Sequence, residues 1–277
     1  MLFRAAKRAT TVRVMEPREG TVERWALDYV RATTLAEKTS PPPPPDRWDE
    51  LAPLRILPGR PPELRVVSKA KKTRGLQGEE GRARALHSFW HHELQAAELM
   101  AWAILAFPET PLEFREGLLR IARDEIRHMK IYAEQIERLG FRVGSFVVRD
   151  WFWERVPRVS TPAAFVAVMG LGLESANLEH AASFAARFRE AGDEEGARAQ
   201  EIVGREEIAH VRFGVTWFEA LAKTALDFDT WRRALPPPLS PMLMRGTPLQ
   251  RDARRKAGQP DRFLDELESW QPDTPGS

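Results

Sequence analysis

Two short stretches of this chain repeat one another, Arg123-Asp124-Glu125-Ile126-Arg127-His128 and Arg205-Glu206-Glu207-Ile208-Ala209-His210. Both contain Glu-x-x-His. On a helix this spacing sets a carboxylate and an imidazole on one face about one turn apart, so both can close on the same ion. A glutamate precedes each copy at a matching distance: Glu93 lies 32 residues before Glu125, and Glu174 lies 33 before Glu207. Four glutamates bring four negative charges, which two divalent cations would balance; unpaired, such carboxylates are too costly to bury in ionised form. The set Glu93, Glu125, His128, Glu174, Glu207 and His210 therefore reads as a two-metal carboxylate site. Glu93 and Glu174 would be terminal ligands, Glu125 and Glu207 bridges, and His128 and His210 one nitrogen ligand per metal. Imidazole with carboxylate suits iron, or manganese as the alternative, better than magnesium or calcium.

A single Glu-x-x-His arises readily in any charged helix, so it is the pairing of the two copies that carries weight. Glu98 and Glu179 each follow their upstream glutamate by five residues and are candidates for additional or alternative ligands. His87 and His91 share a stripe with Glu98, away from Glu93, and suit support of the ligands from outside or plain surface roles. Tyr132, one turn beyond His128, could tune the site or carry a radical; the plainer reading is a packed core tyrosine. His180 has no counterpart in the repeat and is not assigned. Nothing beyond the ligands identifies a catalytic residue.

Helices must bring these groups together. From Glu79 onward the pattern predicts four long helices before the chain turns proline-rich at Pro236. The first runs to Phe107. Thr110-Pro111 starts the second as N-cap and first helical position, and Gly140 ends it. Thr161-Pro162 repeats that start for the third, which ends at Gly192, and Asp193 caps the fourth. Counting from the first turn, Glu93 and Glu125 are both 14 residues deep, about 21 Å along the axis, so they should face each other. In the second hairpin depth does not choose between Glu174 and Glu179. Glu174 is preferred because its stripe, with Leu171, Leu178, Ala181 and Phe188, is apolar. Two short turns separated by a connection of about twenty residues describe two antiparallel hairpins joined by a crossover, an all-α, ferritin-like four-helix bundle. Residues 79–228 would form it. Residues 1–78 would supply a helix over Thr21 to Lys38 and a proline-rich arm, with Pro41 to Pro45 unable to be helical, and residues 229–277 a peripheral tail with a helix over Arg262 to Trp270.

Composition narrows the function. The chain of 277 residues has no cysteine, which removes disulfides, thiolate nucleophiles and iron–sulfur clusters, so any metal must rest on His and carboxylate. There is no apolar run long enough to span a membrane and no secretory signal pattern, so a cytoplasmic protein is expected. Net charge is only +2. Two basic clusters, Arg65, Lys69, Lys71, Lys72 and Arg74 and then Arg251, Arg254, Arg255 and Lys256, lack the interleaved aromatics of a nucleic-acid surface and read as solvated segments.

The stretches His87-Ser88-Phe89-Trp90-His91-His92-Glu93-Leu94-Gln95-Ala96-Ala97-Glu98, Asp124-Glu125-x-x-His128 and Glu206-Glu207-Ile208-Ala209-His210-Val211, with Trp217-Phe218, carry a further signal. Over roughly residues 80 to 225 the chain resembles an uncharacterised bacterial family of ferritin-like proteins, distantly similar to the di-iron tRNA hydroxylases. The resemblance implies the bundle and a metal pair; it brings no assigned reaction. The expected function is a di-iron oxidoreductase that activates dioxygen to hydroxylate a small molecule or, less favoured, tRNA, fed by an electron donor that the sequence does not name. A ferroxidase or iron-handling protein and a metal-free scaffold are the alternatives.

Overall fold

The computed structural model describes residues 16–69 and 75–272, and Lys71, Lys72 and Arg74 of the first basic cluster lie outside them. The described chain is all-α. Its helices are α1 (Val22–Arg31), α2 (Leu35–Thr39), α3 (Glu79–Ala106), α4 (Leu112–Arg138), α5 (Pro162–Val168), α6 (Ser175–Glu190), α7 (Glu194–Ala222), α8 (Phe228–Ala234), α9 (Arg251–Lys256) and α10 (Asp261–Ser269). Extended pairing among the described residues is limited to an isolated bridge between Val66 and Val148, and no described helix is long and apolar enough to cross a membrane.

Two helical hairpins dominate. α3 packs along α4, α6 along α7 with α5 also on α7, and the pairs meet mainly through α4 and α7. From Glu93 to Ala106 every residue of α3 is buried, as a helix apolar on all sides must be. It is covered in part by α1 and by the segment after it, where Leu54 N donates to Leu105 O and Arg55 lies over the rings of Trp102 and Phe107.

The start signals act differently at the two hairpins. Thr161 caps α5, its hydroxyl accepting from Ala164 N ahead of Pro162. Thr110 does not cap α4: its hydroxyl donates back to Phe107 O, and the helix begins one residue late with Pro111 as the flanking residue. Asp193 accepts from Gly196 N as α7 starts, and Gly140 and Gly192 take the expected left-handed conformation, with φ of 81° and 74°.

Three expectations are corrected. The helix over Thr21 to Lys38 is two helices, because Thr34 and Glu37 form a capping box that starts α2 afresh. The third long helix is interrupted: Met169–Glu174 is a π segment between α5 and α6. There α7 comes unusually close, and a Cβ added to Gly214 would lie 2.9 Å from the Gly170 backbone. Only paired glycines allow that approach. Finally, the tail is not peripheral. Met244, Phe263, Leu264 and Leu267 are buried and belong to the same core cluster as Val22 and Trp102.

Candidate metal centre

All six sequence-predicted ligands are buried, and they come together in two overlapping groups. Ligand atoms of Glu93, Glu125, His128 and Glu207 lie within 4.8 Å of one another, as do those of Glu125, Glu174, Glu207 and His210. Glu125 and Glu207 belong to both. Each group thus has one histidine, one glutamate of its own and two shared glutamates, contributed by α3, α4, α7 and the π segment.

The histidines are aimed by a crossed arrangement. His128 on α4 turns Nδ1 inward, 3.1 Å from Glu125 Oε2, and sets Nε2 2.8 Å from Glu206 Oε2 on α7. His210 on α7 likewise has Nδ1 2.9 Å from Glu207 Oε2 and 3.0 Å from Glu125 Oε1, with Nε2 3.4 Å from Asp124 Oδ2 on α4. A proton on Nε2 donated to these outer acids leaves Nδ1 free to bind a cation. Arg127 ties the outer acids together, 2.6 Å from Glu206 and 3.3 Å from Asp124. Asn177 donates to Glu207 Oε1 at 3.1 Å. The sequence reading did not assign Asp124, Glu206 or Asn177. For the first two a signal was present, since both repeat copies carry an acid immediately before the ligand glutamate.

Burial works against charge on both rings, yet hydrogen bonds donated to Glu125 and Glu93, with the nearby carboxylates, push His128 up to about 12. His210 is raised well above its ordinary value in the same way, chiefly by Glu207 and Glu125 against its burial. Glu125 is held well below the usual carboxylate range: burial opposes this, but His210 and His128 outweigh it. Glu93 and Glu174 go the other way, raised by burial first and then by Glu125 and Glu207 respectively.

These residues fit a pair of cations. Metal–oxygen and metal–nitrogen bonds of about 2.0–2.2 Å put ligand atoms on opposite sides of one ion up to roughly 4.4 Å apart, so groups spanning 4.8 Å need little contraction. Glu174 Oε1 is buried without a hydrogen-bond partner, which a metal bond would supply.

The remaining candidates lie outside the two groups. Glu98 takes Lys38 Nζ at 2.7 Å and Arg60 Nη1 at 2.6 Å on one oxygen and accepts from Trp153 Nε1 at 2.7 Å on the other. Glu179 is clamped by Arg254, at 2.6 Å, and accepts from the backbone N–H groups of Gly246 and Gln250. His87 accepts from Gly144 N at 2.8 Å, and burial pushes it down to about 4. His91 pairs with Asp150 at 3.0 Å. Tyr132 is buried, its hydroxyl 3.4 Å from Gln200 Oε1, with the Phe89 ring 5.8 Å away.

The solvated reading of the second basic cluster is corrected at Arg254, while Arg255 and Lys256 are exposed as expected. Arg254 is fully buried on Glu179, and Arg251 and Arg255 are paired with Asp252, Asp261, Asp265 and Glu268. In the first cluster Arg65 and Lys69 are exposed.

Comparison with known proteins gives a family without a reaction. An uncharacterized protein of Haemophilus influenzae (strain ATCC 51907 / DSM 11121 / KW20 / Rd) is 29% identical over 168 residues, an alignment covering 58% of this chain and 58% of that relative. The chain therefore spans under two thirds of the relative's length. No solved structure matches. The profile of the family described as "Protein of unknown function (DUF455)" matches residues 15–265, and the chain belongs to that family.

Proposed function

We propose that this chain is a ferritin-like oxidoreductase whose bundle, roughly residues 79–228, holds two iron ions. One observation carries the reading: two buried ligand groups share Glu125 and Glu207, and each keeps one glutamate and one histidine of its own. Such sharing makes a bridged pair rather than two separate sites. Glu93 and Glu174 would be the terminal carboxylates, and Nδ1 of His128 and of His210 the nitrogen donors. When bound and reduced, such a pair supplies the electrons that activate dioxygen toward a C–H bond.

The protein's own part is to orient and to exclude water. Glu206 and Asp124 fix the imidazole orientation. Near the cluster Phe89 packs between Tyr132 and Phe184, its ring centroid 5.8 Å from the first and 4.7 Å from the second, and the ligands themselves are buried. Manganese would fit the same donors. tRNA is the weaker substrate, since the arginines of the second basic cluster are paired with acids within the chain.

The test is elemental mass spectrometry on protein purified without added metal, beside Glu125→Ala/Glu207→Ala, followed by oxygen uptake after anaerobic ferrous loading. About two metal equivalents, lost in the double variant, support the pair. Oxygen uptake coupled only to iron oxidation, whatever organic compound is added, would move the assignment to iron handling. A wild type that stays metal-free after loading would leave a scaffold.

A further inference from the structure

A cavity of about 220 Å³ opens beside the cluster, with Glu93 and Glu174 in its wall. It therefore touches both groups at the glutamate that each does not share. Its opposite walls come from the connection between the hairpins, through Trp151 and Phe152, and from the tail, through Leu243. His92 stacks on Phe152 with ring centroids 5.2 Å apart and planes 20° from parallel.

We infer that this cavity is the substrate site, and that it takes an uncharged aromatic molecule of one or two rings carrying a single hydrogen-bonding substituent. The inference rests on the di-metal reading for the word substrate, though not for the cavity's choice of ligand.

Size sets the first limit. An apolar cavity of about 150 Å³ holds benzene, and drug-sized ligands need about 300–1,000 Å³. At about 220 Å³ the site admits a substituted ring or a fused pair, not a nucleotide. Charge sets the second. No Lys or Arg among the described residues lines the cavity, so a phosphate or sulfate would enter without a basic partner. Shape sets the third, because Trp151, Phe152 and His92 offer flat faces on which a ring can stack. Asn177 and His180 supply the few polar atoms that would orient a hydroxyl or an N–H.

The walls are also fixed in advance. Gln95 Oε1 accepts from Phe152 N at 3.0 Å, Glu98 holds Trp153, and Asp150 is gripped by Arg60 and His91. These bonds run from α3 and the arm to the residues on either side of Trp151 and Phe152. On the other wall the Glu179–Arg254 clamp reaches Gly246 N and Met244 O, next to Leu243. Hydrogen bonds on both sides make the cavity preformed, which lowers the ordering cost of binding.

The probes are 2-naphthol and 2-naphthoate, which share a ring system and differ in charge at neutral pH, with adenosine monophosphate as the nucleotide. Dissociation constants are measured by calorimetry on the full chain, stripped with chelator and loaded with Mn²⁺. Wild type is expected to bind 2-naphthol at least about tenfold more tightly than either anion, and Leu243→Trp, which narrows a partly exposed opening without touching the core, to weaken 2-naphthol by about tenfold or more while leaving metal content unchanged. Ala96→Leu fills the cavity from inside and should act in the same direction. Equal or tighter binding of naphthoate or the nucleotide overturns the inference, and so does 2-naphthol binding that neither variant weakens. Two Mn²⁺ bound with no 2-naphthol binding would sink the inference and leave the metal pair standing. Selective 2-naphthol binding in a protein that takes up no metal would do the reverse, keeping the cavity's ligand class and ending its description as a substrate site.

Discussion

Loading the cluster with Mn²⁺ should drive protons out of the protein, and their number follows from the geometry. Burial keeps Glu93 and Glu174 protonated to well above the ordinary carboxyl range. Against their own burial, His128 is pushed up to about 12 and His210 is also strongly raised by the carboxylates they face. Both Nδ1 atoms point at shared glutamates, so neither ring can donate to a metal before that nitrogen loses its proton. Two protons must therefore leave from the imidazoles, and up to about four in all once the terminal carboxyls become ligands. Each proton released makes the binding constant about tenfold larger per pH unit. The affinity for the pair of ions should thus rise by about 10²- to 10⁴-fold per pH unit between about pH 6 and about pH 8. Calorimetric titration at one pH in two buffers of different ionisation heat gives the proton count directly. Release of fewer than about one proton per two ions would refute the reasoning, because the rings would then already be neutral with Nδ1 free.

Three further outcomes are expected. In chelator-treated protein the melting temperature should fall as pH rises through the neutral range: the raised His128 stabilises the fold fully below its ordinary 6.5 and loses that contribution as pH climbs toward about 12. Glu93 and Glu174, also raised, lose theirs above the ordinary 4.5. Mn²⁺-loaded protein should show a flatter or opposite slope by differential scanning calorimetry. Glu206→Gln and Asp124→Asn should each lower metal affinity about 10- to 100-fold by freeing an imidazole, with unchanged circular dichroism, and a Mn²⁺ titration showing no change would deny the outer acids that role. Arg254→Ala leaves Glu179 buried and unpaired and should cost about 3–5 kcal/mol in denaturant unfolding; Arg254→Met/Glu179→Leu should recover most of it.

What the sequence made legible was the local part of the site. The i, i+3 spacing and the equal depth of Glu93 and Glu125 below the first turn depend only on helical rise, and α3 and α4 are regular helices from that turn past the ligands. The all-α fold agrees with the helical part of that reading. Depth counting could not separate Glu174 from Glu179 in the second hairpin. The π segment ends at Glu174, and nothing in Met169-Gly170-Leu171-Gly172-Leu173-Glu174 announces a wider turn except two glycines whose purpose emerges only when Gly214 of α7 is seen against Gly170 and Met244 against Gly172. Turns of this kind often sit at functional positions.

The least legible residues were Glu98 and Glu179, whose matched spacing from Glu93 and Glu174 suggested ligands. Spacing along a helix says that two positions are equivalent, not what faces them, and the partners come from far along the chain: Lys38 and Arg60 for Glu98, Arg254 for Glu179. The equivalence is real at another level. Each acid is buried in its hairpin, is neutralised by a cation from a segment outside the hairpins, and braces a wall of the cavity, Glu98 through Trp153 of the connection and Glu179 through Gly246 of the tail. A buried carboxylate needs a cation of some kind. In this fold the inner pair of acids faces the histidine cluster and the outer pair takes side chains. The repeat that aligns the cluster therefore also fastens the arm and the tail and braces the connection and the tail where they wall the space beside it, and a loss at either outer acid should register in the cavity's walls before it registers in the metal ligands.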